Sequence, residues 1–196
     1  MYNKINITEN HLIVLALFSK SFNKEYHIRE VAKLTTLSPR SAQLMLAEFE
    51  KKGVLQSRIR GKIKAYLLRN ADIAKEYLFL VEQYKLLIFL EKHQIVKEII
   101  SKIRPHINGI GIIFGSYAKE TENKSSDLDV FIVGDCDKAE IKKISKTYGI
   151  EINLKQYPLD KFKSNLREDI LIKEVLENHI VFLNSEQLIK EVIKYG

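Results

Sequence analysis

The 196-residue sequence predicts an α+β protein built from three successive segments. Residues 1–70 show the pattern of three short helices followed by a β-hairpin, and residues 71–104 contain no glycine or proline, which is typical of a helical connector. Residues 105–196 alternate β-branched apolar runs with helical patterns, which predicts an α/β domain with a small mixed sheet. We therefore expect two folded domains and a connector between them.

Composition and charge favour a globular protein whose first segment meets a polyanion. Hydrophobic residues make up 45% of the chain, which is enough to fill a core. The single cysteine, Cys136, cannot form an internal disulfide and favours a cytoplasmic location, and the apolar run at residues 12–18 is too short to span a membrane. Residues 1–70 hold 13 Lys and Arg against 5 Asp and Glu, a net charge of +8, whereas the rest of the chain has a net charge of −1.

Three helices are expected in the first segment. The first covers residues 8–18 with Thr8 as its N-cap, and the second carries apolar residues at helical spacing over residues 28–34. Ser38-Pro39 is a strong helix start, because serine caps the free backbone amides and proline fits the first helical position. The third helix then runs until Gly53, a residue that tolerates the left-handed conformation at a helix end.

Residues 54–68 predict a β-hairpin with the basic tip Arg60-Gly61-Lys62. Three helices followed by such a hairpin resemble a winged helix-turn-helix DNA-binding domain. The resemblance implies that the third helix enters the major groove while the hairpin, or wing, contacts the DNA backbone. The candidate DNA contacts are Arg40, Ser41, Gln43 and Leu44 on the third helix and Arg58, Arg60, Lys62 and Lys64 on the wing. The alternative is a solvated hairpin on a domain that binds protein.

The connector is expected to form one long helix or two, ending at Pro105. Its apolar residues occupy more than one side of a helix, so it should pack against both domains or against a second subunit. A homodimer is our hypothesis, because winged helices often read two-fold symmetric DNA sites.

Residues 111–133 carry the strongest functional signal in the chain. The apolar run at residues 110–114 predicts a buried strand, Gly115-Ser116 breaks it as a strand-to-helix turn requires, and residues 128–133 predict a second strand. Small residues at this turn would let backbone amides and the Ser116 hydroxyl face a phosphate group.

Two carboxylates stand at the start of the second strand. Asp127 and Asp129 are two positions apart, so on a strand both side chains project from one face. Their Cα atoms would lie about 6.5 to 7 Å apart, which suits one or two divalent cations. A phosphate-binding turn facing a metal pair is the equipment for phosphoryl or nucleotidyl transfer. Taken alone, the serine-rich segment could equally be a loop of Asx turns.

Gly115-Ser116, Ala118 and the run Ser-Asp-Leu-Asp at residues 126–129 resemble the signature G-S-x-A-x-G followed by S-D-x-D. That signature belongs to the DNA polymerase beta-like nucleotidyltransferase superfamily, and in particular to its minimal members. One position departs from the pattern, because Glu120 stands where the family usually has a second glycine.

The resemblance implies specific roles for these residues. Gly115, Ser116 and Ser126 would bind an NTP, and Asp127 and Asp129 would hold Mg²⁺ (or Mn²⁺). The superfamily normally carries a third metal-associated carboxylate on the next strand, which we expect at residues 150–157. Glu151 is our candidate for this third catalytic and metal-binding residue; if the register instead aligns Asn153 with the family acid, the charge is lost.

The resemblance therefore favours a transferase that moves a nucleoside monophosphate from an NTP to an acceptor hydroxyl. Minimal members of the superfamily often modify a small toxin, so an antitoxin that acts on a toxin-like partner protein is one form of this hypothesis. The alternative is a transcriptional regulator whose nucleotidyltransferase-like domain only binds or senses nucleotide. Modification of a small molecule is less favoured, because no additional acceptor-binding domain is evident.

Overall fold

The computed structural model of the protein describes residues 6–20, 22 and 24–195. The chain divides into two units, Met1–Val81 and Glu82–Gly196, and each is described by itself. Within the described residues, no helix combines the length and the apolar content that crossing a membrane requires.

Before residue 70, the described part of the first unit forms three helices and a small antiparallel sheet. The helices are α1 (Glu9–Lys20), α2 (Ile28–Thr35) and α3 (Pro39–Lys51), and the strands are β1 (Tyr26–His27), β2 (Leu55–Arg60) and β3 (Ile63–Leu68). The strand order is β1-β3-β2, so the predicted hairpin of β2 and β3 gains a third strand that sequence patterning did not indicate. The three predicted helices lie where local periodicity and capping placed them.

Local chemistry explains the boundaries of these elements. The side chain of Ser38 accepts a hydrogen bond from the backbone N–H of Ser41, as an N-cap should, and Pro39 opens α3. Gly53 has a φ of 75°, the left-handed conformation that ends a helix at low cost. Phe49 lies near the middle of the core, where its ring meets those of His11 and Tyr77 edge to face.

The region predicted to be helical between residues 71 and 104 forms two helices, α4 (Asp72–Lys92) and α5 (Gln94–Ile103). They are separated at His93, and the boundary between the two units falls within α4. In α5 the buried residues recur at helical spacing, which gives this helix one apolar face: Val96, Ile99, Ile100 and Ile103. A short 3₁₀ turn that contains Pro105 follows α5.

The second unit is built around a four-stranded mixed sheet. Its strands are β4 (Ile107–Ile113), β5 (Leu128–Cys136), β6 (Ile152–Tyr157) and β7 (Ile180–Leu183), in the order β6-β5-β4-β7. β5 and β6 are parallel, whereas β4 is antiparallel to both β5 and β7. The remaining helices are α6 (Gly115–Lys119), α7 (Lys138–Tyr148), α8 (Leu159–Asn165), α9 (Ile170–Glu177) and α10 (Ser185–Tyr195).

Residues of β5 alternate between two apolar environments. Leu128, Val130 and Ile132 are fully buried in a cluster that includes residues of α5 and α7. Phe131 points to the other face, where its ring lies 6.2 Å from that of Phe162 in α8. Because β5 is covered on both faces, its backbone is held firmly, and so is Asp129 near its start.

A buried ionic cluster anchors the second half of α4 to the rest of this unit. The side chain of Glu82 is 1% exposed and lies 2.9 Å from Nζ of Lys85 and 3.3 Å from Nε2 of His179. Nδ1 of His179 lies 2.7 Å from the carbonyl oxygen of Leu176, which can only accept a hydrogen bond. Both ring nitrogens of His179 therefore face hydrogen-bond acceptors.

The charge of Glu82 is maintained by its partners. Burial by itself raises the pKa of this carboxyl, but attraction to Lys85 and to His179, together with their hydrogen bonds, outweighs burial and holds the pKa at about 2. The Glu82 carboxyl is therefore ionised at neutral pH in spite of its burial, because Lys85 and His179 contact it.

Candidate functional site

The predicted turn and the predicted carboxylate meet at the ends of β4 and β5. Gly115 opens α6 with a φ of 68°, and a Cβ at this position would overlap Oδ2 of Asp129. The backbone N–H of Phe114 also donates a hydrogen bond to the carbonyl oxygen of Asp129, at 3.1 Å. Glycine is required here for two reasons, because it adopts the left-handed conformation without strain and leaves room for the carboxylate.

The strand register decides which residue neighbours Asp129. In the parallel pairing of β5 and β6, Asp129 is aligned with Asn153, and Nδ2 of Asn153 donates a hydrogen bond to Oδ1 of Asp129 at 2.8 Å. One carboxylate oxygen is therefore held by the amide, while the other lies over Gly115.

Glu151 occupies a different place. It precedes β6, and its backbone carbonyl accepts a hydrogen bond from the N–H of Leu128 at 2.8 Å. Its side chain is exposed and borders a groove beside α7. Among the residues that the structure describes, no three His, Cys, Asp or Glu side chains are grouped so that they could hold a metal ion. The expected set of Asp127, Asp129 and Glu151 is thus not assembled, because the register aligns residue 153 with Asp129.

Without Glu151, the carboxylates of Asp127 and Asp129 can still bind a divalent cation that is already bound to the phosphates of a nucleotide. Asp127 is exposed and lies immediately before β5, two positions from Asp129. Mg²⁺ commonly binds to one or two protein carboxylates and takes its other ligands from water and substrate phosphates. Asp127 and Asp129 are two such carboxylates, so the residues present fit Mg²⁺ or Mn²⁺ that accompanies an NTP.

Ser126 and Ser116, the two serines predicted to bind an NTP, make different hydrogen bonds. The Ser126 hydroxyl accepts a hydrogen bond from the backbone N–H of Asn123 at 2.9 Å and closes the turn that leads into β5. Ser116 lies in the first turn of α6, and its carbonyl accepts a hydrogen bond from the N–H of Thr121 at 3.0 Å. Ser116 is therefore on the turn beside Gly115, whereas Ser126 shapes the loop before the two aspartates.

The departure from the family pattern at Glu120 has a visible consequence. Glu120 ends α6 with a φ of 56°, which is the left-handed conformation that the family glycine would adopt without strain. A residue with a Cβ pays about 1–2 kcal/mol for this conformation. Its side chain accepts a hydrogen bond from Nζ of Lys92 at 3.0 Å, which ties the strained residue to the end of α4.

Sequence patterns did not reveal a cluster of three side chains that packs against α6, namely His93, Tyr117 and Glu122. The His93 ring meets the Tyr117 ring edge to face, with ring centroids 5.5 Å apart, and Nε2 of His93 lies 3.7 Å from Oε1 of Glu122. Burial lowers the pKa of His93. The three residues come from α6 and the segments next to α4 and α6, so no local spacing could have grouped them.

The basic residues predicted to contact DNA do not form one surface on the wing. Arg58 and Arg60 share one face of the hairpin, and both lie near the carboxylate of Glu25, at 3.4 and 3.1 Å. Lys64 points to the other face and pairs with Glu50 at 2.6 Å. Lys62 lies in the turn between the strands, and in the described part of the chain it has no ion-pair partner.

The residues predicted to read bases lie together at the start of α3. Arg40 and Gln43 share a hydrogen bond of 3.3 Å, and the hydroxyls of Ser41 and Ser38 are 2.9 Å apart. Leu44 follows them and is 54% exposed, which is unusual for a large apolar side chain on a helix. This end of α3 therefore offers both polar and apolar groups to solvent.

Comparisons with known proteins bear on the second unit. Residues 93–195 match the family described as a nucleotidyltransferase domain. A search of curated proteins gave no match. A solved structure described as a toxin-antitoxin with AMP-PNP is 16% identical, with a TM-score of 0.37, and the alignment covers 52% of this chain and 82% of that one. TrmBL2, described as an archaeal chromatin protein, is 14% identical, with a TM-score of 0.29 and coverage of 87% and 70%.

Both structures have TM-scores below 0.5. The family match, in contrast to these two structures, spans more than half of the chain and includes the Gly115 turn, Asp127 and Asp129. Sequence signature and family match agree on the same segment, and the chain therefore belongs to the nucleotidyltransferase domain family of the polymerase beta-like type.

Proposed function

We propose that residues 82–196 bind an NTP with a divalent cation and transfer its nucleoside monophosphate to an acceptor hydroxyl. The observation that carries the proposal is the packing of the Asp129 carboxylate over the Gly115 turn. In a member of this family, a turn with the Asp129 carboxylate packed over it can hold a phosphate group and its cation at one place.

Each residue of the site has its own task in this proposal. Gly115 and Ser116 approach the phosphates, since the lack of a Cβ at Gly115 lets the backbone come close. Asp127 and Asp129 hold Mg²⁺ (or Mn²⁺), which, when bound, neutralises charge on the phosphates. Asn153 positions Asp129 by donating a hydrogen bond to one of its oxygens.

Asn153 also favours a second candidate function. In the family pattern a third carboxylate stands on this strand, and it would help to activate the acceptor hydroxyl. An amide is uncharged and cannot accept that proton, so the site could bind nucleotide without efficient transfer. The second candidate is therefore a transcriptional regulator whose nucleotidyltransferase domain senses nucleotide.

One experiment separates the two functions. The purified protein is incubated with a host lysate, Mg²⁺ and each of the four α-labelled NTPs, beside the double variant Asp127→Asn, Asp129→Asn. Transfer of label to a macromolecule by the wild type alone supports the transferase and identifies the acceptor. If the wild type binds NTP in equilibrium dialysis but transfers no label, the transferase proposal is wrong and the sensor is favoured.

We further propose that the first unit is a winged helix that binds DNA. Its support is the net charge of +8 in residues 1–70, the polar start of α3, and a hairpin with the basic residues Arg58, Arg60, Lys62 and Lys64. Ion pairing with Glu25 and Glu50 leaves Lys62 as the wing residue whose charge is most available to a phosphate.

This proposal has a quantitative test in the salt dependence of DNA affinity. Each neutralised phosphate contributes about 0.9 to the slope of the logarithm of affinity against the logarithm of salt concentration. Lys62→Ala should lower the slope by about 1. The matched control Lys75→Ala removes a lysine that pairs with Asp72 on α4 and should leave the slope unchanged. A wild-type affinity that hardly changes with salt would exclude DNA binding.

The acceptor and the oligomeric state belong to the same proposal. The acceptor we favour is a hydroxyl of a partner protein, as in the antitoxin form of the hypothesis.

A homodimer is supported by large apolar side chains that remain exposed in the second unit, namely Leu87 at 61%, Ile88 at 42% and Ile95 at 57%. Light scattering at micromolar concentration should give twice the chain mass, and the monomer mass would contradict the dimer.

A further inference from the structure

A groove between α7 and β6 has the chemistry of a docking site that is separate from the nucleotide site. It has a volume of about 500 Å³. Its floor is aliphatic and consists of Ile141, Ile150, Ile152 and Leu154. Its rim on the α7 side is basic and consists of Lys138, Lys142 and Lys146.

The three rim lysines are available to a partner. In the described part of the chain none of them has a carboxylate within ion-pair distance, whereas Lys143 on the same helix lies 3.4 Å from Glu140. The second unit is otherwise electrically balanced, since residues 82–196 contain 18 Lys and Arg and 18 Asp and Glu. The lysines of the rim are therefore a local positive stripe on a neutral unit.

The spacing of the stripe indicates the shape of its partner. Lysines four residues apart on a helix are separated by about 6 Å along its axis. In an extended peptide every second side chain is separated by about 6.6 Å and points to the same side. Because the two spacings are similar, acidic residues at alternate positions of an extended peptide can each lie opposite one of the three lysines. The peptide residues between them then face the aliphatic floor of the groove.

The floor argues against nucleic acid as the occupant. Single strands bind through basic groups together with aromatic side chains on which the bases stack. The described residues that line this groove are aliphatic, polar or charged, with no aromatic ring among them; Glu151 is the one carboxylate beside the three lysines. An apolar floor beside a row of cations fits a segment that is both acidic and apolar.

We propose that the groove between α7 and β6 docks an extended acidic segment of a partner protein, in which acidic and aliphatic residues alternate. The site is independent of the nucleotide reaction, because Ile152 and Leu154 face the groove while Asn153, between them, faces Asp129 on the opposite side of β6.

The test uses the full-length protein and a fluorescent peptide of alternating glutamate and leucine, and binding is followed by anisotropy. Two control peptides replace either leucine by serine or glutamate by lysine, and a single-stranded oligonucleotide of similar charge is the third probe. The variant Lys142→Glu, Lys146→Glu reverses the rim. The control Lys143→Glu reverses one lysine of the same helix that lies outside the groove.

We expect saturable binding of the glutamate-leucine peptide that is weaker by about tenfold or more in the rim variant and unchanged in Lys143→Glu. Neither control peptide should compete. The proposal is wrong if the peptide does not bind, if both variants weaken binding equally, or if the serine peptide or the oligonucleotide binds as tightly. Nucleotide plays no part in this assay, so its outcome does not depend on the transferase activity.

Discussion

Replacing Glu82 by glutamine tests the buried ionic cluster of the second unit. The substitution keeps the size of the side chain but removes the anion that lies between Lys85 and His179. Lys85 and His179 then lose the carboxylate that both of them contact. Breaking a buried pair by removing one partner typically costs about 3–5 kcal/mol, because the remaining charge is left uncompensated.

The pKa of Glu82 gives a second route to this magnitude. The pKa falls from its ordinary value of 4.5 to about 2 on folding. Lowering a pKa by one corresponds to about 1.36 kcal/mol, so the charged carboxyl contributes about 3 kcal/mol to the free energy of unfolding. Because the folded-state pKa is depressed, this contribution is complete above pH 4.5 and is lost as the pH falls towards 2.

The assay is chemical denaturation of full-length wild type and Glu82→Gln, followed by circular dichroism from pH 7 to pH 2.5. We expect the variant to be less stable by about 3 kcal/mol at pH 7, and the difference to shrink below pH 4.5. Glu174→Gln is the matched control, since Glu174 forms an exposed pair with Lys119 and should change stability by at most about 1 kcal/mol. Equal stability of wild type and Glu82→Gln at pH 7, or a difference independent of pH, would refute the reasoning.

Three further predictions concern the site and its surroundings. Gly115→Ala should abolish NTP binding in equilibrium dialysis and lower the melting temperature, because its Cβ would overlap the Asp129 carboxylate and its φ of 68° would be strained; retained NTP binding would contradict this geometry. Asn153→Asp should tighten Mn²⁺ binding in titration calorimetry, since it adds a carboxylate next to Asp129, and unchanged affinity would mean that residue 153 does not reach the cation. Ser145→Ala should lower the free energy of unfolding by about 1 kcal/mol, because the Ser145 hydroxyl bonds two backbone groups at the outer edge of β6, and an unchanged denaturation midpoint would show that water replaces both bonds.

Elements with local signals were predictable from the sequence. Ser38 and Gly53 mark the two ends of α3 through capping chemistry, which depends only on neighbouring residues. The strand β1 was not predicted, since two residues carry no periodic pattern. It exists because Tyr26 and His27 find partners in β3, about 40 positions away in sequence.

The candidate site shows the same division. The Gly115 turn and the place of Asp129 near the start of β5 follow from patterns within a few residues, because a turn requires a small residue and an apolar run predicts the strand. Whether Glu151 or Asn153 stands beside Asp129 could not be read from the chain. That choice depends on the pairing of two strands, and a shift of one residue would move every side chain of β6 to the other face.

The sequence by itself therefore determined most of the helices and strands, the charge asymmetry and the identity of the family, all of which arise from short-range patterns. Only the tertiary structure decided that Asn153 holds Asp129, that Glu82 is buried beside Lys85 and His179, and that the wing arginines lie near Glu25. The physical reason is that these contacts join residues far apart in the chain, and their pairing is chosen by strand register and core packing rather than by local preference.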